Sequence, residues 1–134
     1  MELDLSIPGA REERAKLKLF HSHLNHPEVV PEQVYRRNSS GYPLVSYLNN
    51  ICGLYLSKNY EVIPVFISRA HQHMQEHPAS ANSKAYYELA SIYIRQMAYV
   101  ISSYTNITKE CLGLIPAEIL DAGPQASVLS KAPN

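Results

Sequence analysis

"KAYYELASIYIRQMAYVISSYTN", residues 84–106, sets the architecture. Lys84, Glu88, Ser91, Arg95 and Ser102 share one thin polar stripe at helical spacing, and apolar or aromatic side chains cover the rest. Its β-branched residues favour strands, but the run is too long for one and lacks turn signals. A helix that is apolar almost all round belongs at the centre of a bundle or in an oligomer interface.

The flanking segments supply the other helices. "YEVIPVFISRAHQHMQEH" (60–77) buries Ile63, Phe66, Ile67, Ala70 and Met74, with Pro64 in its first turn. "PLVSYLNNICGLYLSK" (43–58) gathers Ser46, Asn49, Asn50, Gly53 and Ser57 on one narrow polar stripe, and Lys58-Asn59 closes it. "PASANS" (78–83) is a turn, with Ser83 as the N-cap of the long helix. Residues 10–25 form a helix through Leu17, Phe20 and Leu24, ended by Pro27. Residues 31–37 suit a short helix, and 107–121 another that Gly113 and Pro116 break. In "ELDLSIP" (2–8) Leu3, Leu5 and Ile7 alternate with polar residues, as in an extended arm laid on helices or on a partner. The expected architecture is therefore an all-α bundle of four to five helices with helical-hairpin connections. An extended arm covers 1–9, a single helical domain 10–121, and a disordered tail rich in Pro, Ser and Ala 122–134.

Composition narrows the function. The 134 residues make one domain, and ten Tyr with two Phe and no Trp give it amphipathic aromatic mass. Net charge is zero, which leaves no electrostatic footprint for nucleic acid or for an anionic membrane. No charge occurs from Asn38 to Ser57 or from Gln96 to Thr108, so these stretches are buried or present apolar surface to something. The first of them is too interrupted by polar residues to span a membrane. No secretory signal opens the chain, so a cytoplasmic protein is expected, with Cys52 and Cys111 as free thiols. No Gly-rich phosphate loop, nucleophile motif or paired carboxylates can be read, which argues against an enzyme.

All six histidines lie in "HSHLNH" (21–26) and "HQHMQEH" (71–77). Both clusters fall at helix C-termini, where imidazoles meet free carbonyls and the helix dipole. If the two helix ends met, His23, His26, His73 and His77 would be the residues able to converge on zinc. No metal site is favoured on spacing, and zinc is the alternative reading.

Tyr86, Leu89-Ala90, Tyr93 and Tyr99 resemble the first helix of a tetratricopeptide-type repeat: a large aromatic, a Leu-small pair, then two further aromatics. Tyr47, Ile51-Cys52, Tyr55 and Tyr60, followed by Ala70, are similar. The resemblance implies a helical-hairpin scaffold that binds a partner peptide, with Tyr87, Ser91, Ile94 and Arg95 as the surface positions. From residue type alone, Tyr87, Tyr93, Arg95 and Tyr99 are the interface anchors. The expected function is a non-catalytic adaptor, chaperone-like or regulatory subunit. It binds a protein partner, or itself as a homodimer through the 84–104 helix, by an apolar Tyr-rich surface.

Overall fold

A computed structural model describes residues 2–24 and 42–126. Among these residues the fold is all-α, with no strand. Four long helices form the body: α1 (Ala10–Leu24), α2 (Tyr42–Leu56), α3 (Ile63–Glu76) and α4 (Lys84–Tyr104). Two single-turn helices follow, α5 (Lys109–Leu112) and α6 (Ala117–Leu120). The short helix expected over 31–37 lies outside the described residues.

α4 takes the central place that its all-round apolar character called for. Tyr93, Ile94, Met97, Val100 and Ile101 are essentially inaccessible. α1 packs along it with Leu17 and Phe20, while α2 and α3 pack on each other as a hairpin; α4 also meets α3 and α6. Ala70, Ala90 and Ala98 are fully buried, and their small side chains let the backbones approach.

The helix ends follow local chemistry. α2 closes through Lys58 at φ +64°, with Asn59 N–H donating to the Leu54 carbonyl at 2.8 Å. This is a left-handed terminator of the kind Gly usually occupies. Pro64 stands in the first turn of α3, where a missing N–H costs nothing. Ser83 holds the N-cap position of α4, but its hydroxyl turns back to accept from Ser80 N–H at 3.0 Å instead of capping the helix. Thr108 does cap α5, accepting from Cys111 N–H at 3.2 Å. Gly113 and Pro116 separate α5 from α6.

The N-terminal arm lies on the bundle. Leu3 and Leu5 pack against the core, and Asp4 N–H donates to the Tyr104 carbonyl at the end of α4 (2.7 Å). Asp4 accepts from Ser6 N–H at 3.0 Å, which turns the chain, so Ile7 breaks the alternation and faces outward. Gly9, at φ +91°, leads into α1; a Cβ there would stand 3.1 Å from the Tyr104 hydroxyl.

At the other end, residues 122–126 are placed, although composition assigns them to the tail. The fully buried Gln96 accepts from Gln125 N–H at 2.9 Å and donates to the Glu13 carbonyl at 3.1 Å. Lys16 donates to the Gln125 carbonyl at 2.7 Å. One buried amide thus joins α1, α4 and the C-terminal segment. Residues 127–134 lie outside the described residues.

Candidate functional site

α4 uses half of its expected surface residues internally. Tyr93 and Ile94 are each 1% exposed, and Tyr87 is 9% exposed with its hydroxyl donating to the His77 carbonyl at 2.8 Å. Ser91, Arg95 and Tyr99 keep partial exposure. The Ser91 hydroxyl is directed to the Met74 sulfur at 3.7 Å, and the Tyr99 and Tyr104 hydroxyls are 3.4 Å apart. Three of the six positions that sequence assigned to a partner are thus taken by this protein's own packing. The reason is positional: a helix contacted by α1, α3 and α6 has little surface left.

The described histidines lie on α1 and on α3 or its C-cap. His73 is buried on α3 with its ring 4.6 Å from that of the exposed His77. His23 is half-buried on α1, and His26 lies outside the described residues. Among the described residues no group of three or more His, Cys, Asp or Glu side chains could hold a metal. His71 instead meets Glu118 at 2.6 Å, joining α3 to α6.

A concavity lies elsewhere, between α1 and α2. It has a volume of about 590 Å³, within the ~300–1,000 Å³ usual for ligand sites. Tyr93 of α4, Leu17 of α1 and Cys52 of α2 line its interior. Arg11, Arg14 and Lys18 line it from α1, at steps of three and four that put all three on one helix face. Leu56, 71% exposed, stands on the α2 side. Among the described residues no carboxylate lines this cleft. A second depression of about 270 Å³ shares Arg14, Tyr55 and Leu56 with it, so the groove continues towards Leu3 and Leu5 of the arm, where Glu2 and its partner Lys58 also line it. Burial pushes the Tyr55 hydroxyl up to about 12, against a smaller opposing pull from Arg14.

Inside the cleft, His21 Nε2 lies 2.9 Å from Cys52 Sγ. Burial raises the thiol and lowers the imidazole, so both are neutral near pH 7. Between two neutral groups either S–H donates to Nε2 or Nε2–H donates to Sγ, according to the imidazole tautomer. Sequence reading placed both cysteines as free thiols, which they are, one buried and one half-buried. It missed the pair. His21 does follow Leu17 by four residues and precede Leu24 by three, so it rides the buried stripe of α1. Cys52 follows Leu48 by four on the stripe of α2. Those signals place each residue inward, but 31 residues separate them in sequence.

No protein-family model, curated protein or solved structure matches this chain. Fold and site together define it as an all-α domain with a cationic, apolar-floored cleft between α1 and α2.

Proposed function

We propose that this protein is a non-catalytic interaction module, an adaptor or regulatory subunit. It takes an acidic, amphipathic helical segment of a protein partner in the α1–α2 cleft. The observation that carries this reading is the pairing of an apolar interior with three cations and, among the described residues, no carboxylate. An apolar helix face fills such a groove through residues one turn apart, and acidic neighbours meet the Arg11, Arg14 and Lys18 edge. The continuation past Leu56 towards the arm favours an elongated occupant over a compact one. The tetratricopeptide-like pattern supports a helical scaffold that binds a partner peptide, although the positions it implies, Tyr87, Ser91, Ile94 and Arg95, lie on α4 and not in this cleft. A homodimer through α4 has less support, because α4 is largely enclosed. Nucleic acid is a poor fit, since three cations on a chain of zero net charge give few phosphate contacts. Two free thiols agree with a reducing, cytoplasmic setting. No helix among the described residues is long and apolar enough to cross a membrane.

Selection from a displayed random-peptide library tests the proposal. The recovered peptides should share apolar anchors one helical turn apart with flanking Asp or Glu. Their binding should weaken about tenfold in Leu56→Asp, a loss of about 1.4 kcal/mol, and again in Arg14→Glu. Binders that map outside the cleft, that tolerate both substitutions, or that a short DNA or RNA duplex displaces, would overturn the reading.

A further inference from the structure

We propose that Cys52 is a modification site: a thiol that accepts an acyl group from a fatty acyl thioester of an anionic carrier, with His21 as its base. The reaction needs the cleft, its cations and the Cys52–His21 pair. It does not depend on the partner being a protein segment.

Three features meet at this place. The cleft interior is apolar at Leu17 and Tyr93, which suits an acyl chain. Lys18 and Arg14 stand one and two turns before His21 on α1, where they meet the anionic head of the carrier. The thiol lies 2.9 Å from Nε2, within the range over which a nucleophile and its base cooperate, and the Nδ1–H tautomer of His21 can take its proton there. Burial keeps the imidazole neutral, and a neutral ring is the form that can take a proton.

The step balances without an oxidant or a cofactor. Cys52 Sγ attacks the thioester carbonyl carbon, and its proton passes to His21 Nε2. The bond from that carbon to the carrier sulfur breaks, and the departing thiolate takes the proton from His21. One thioester has replaced another, so the exchange is close to thermoneutral and reversible. The acyl chain then occupies the cleft interior.

Cys111, on α5 outside the cleft and more exposed, is an internal comparator within the same chain. The full-length protein is incubated with octanoyl-coenzyme A, and acylated peptides are mapped by mass spectrometry. The expected result is one acyl group on Cys52, released by neutral hydroxylamine, forming well ahead of any label on Cys111. His21→Gln should slow it about 10²-fold, the low end for loss of a general base. Lys18→Glu should slow transfer from octanoyl-coenzyme A about tenfold more than it slows transfer from the uncharged N-acetylcysteamine thioester. Absence of label on Cys52, or labelling of Cys111 at an equal or faster rate, would overturn the proposal. Mapping on the natural chain distinguishes these outcomes whether or not a variant folds. Peptide binding in the cleft is scored separately, so either reading can fail alone.

Discussion

Gln96→Met isolates a buried amide that joins three parts of the fold. Methionine matches glutamine in length and nearly in volume, so packing around the fully enclosed site is retained. What disappears is hydrogen bonding. Gln96 donates to the Glu13 carbonyl (3.1 Å) and carboxylate (3.3 Å), and accepts from Gln125 N–H (2.9 Å). The Glu13 carboxylate keeps Lys16 at 2.7 Å, and its carbonyl lies inside the α1 ladder. The Gln125 N–H is the group that loses its acceptor. An unsatisfied buried donor costs about 1–3 kcal/mol, and each lost bond about 1 kcal/mol net. Partial solvent access to Gln125 lowers the sum, so a loss of about 2 kcal/mol is expected. That is a large share of the roughly 5–15 kcal/mol that holds a domain together. Urea unfolding followed by helical circular dichroism measures it, and the midpoint should fall with the slope unchanged. Hydrogen exchange should quicken at residues 123–126 before it quickens in α4. A loss below about 0.5 kcal/mol, a scale typical of surface changes, would refute the reasoning. So would unchanged exchange at 123–126.

Two further predictions concern stability. Burial lowers the His21 pKa below 6.5 in the folded state, so below pH 6.5 the unfolded chain binds the extra proton and stability falls. Burial raises the Cys52 pKa above 9.0, so above pH 9 the unfolded thiol ionises first and stability falls again. Thermal melts should show a plateau between these limits, and His21→Gln should flatten the acid side; an unchanged acid slope in that variant would contradict the assignment. Gly9→Ala should cost about 1–3 kcal/mol in chemical denaturation, from left-handed backbone and contact with the Tyr104 hydroxyl. Gly53→Ala, in helical backbone with open space around its Cβ, should instead stabilise by about 0.5–1 kcal/mol. Equal effects at the two glycines would show that backbone conformation is not the cause.

The helices were legible in the chain's local pattern. Spacing of Leu17, Phe20 and Leu24, the narrow polar stripe of α2, Pro64 at a first turn, and Gly113 with Pro116 as breaks are local facts. Helical periodicity and turn chemistry act within a few residues, so they can be read without a partner. The central place of α4 also followed from its all-round apolar character. Which face of each helix was left over depended on the packing. Tyr93 looked like an interface anchor, but α4 sits against α1, α3 and α6, so its ring is enclosed. Ser83 looked like a cap, but Ser80 lies close enough to take its hydroxyl. The cleft arises because α1 packs on α4 while α2 packs on α3, leaving a gap lined by Arg14, Leu56 and Cys52. The His21–Cys52 contact spans that gap, and Gln96 reaches Glu13 across 83 positions and Gln125 across 29. Such pairings depend on how helices are arranged in space, and local spacing carries no information about that arrangement.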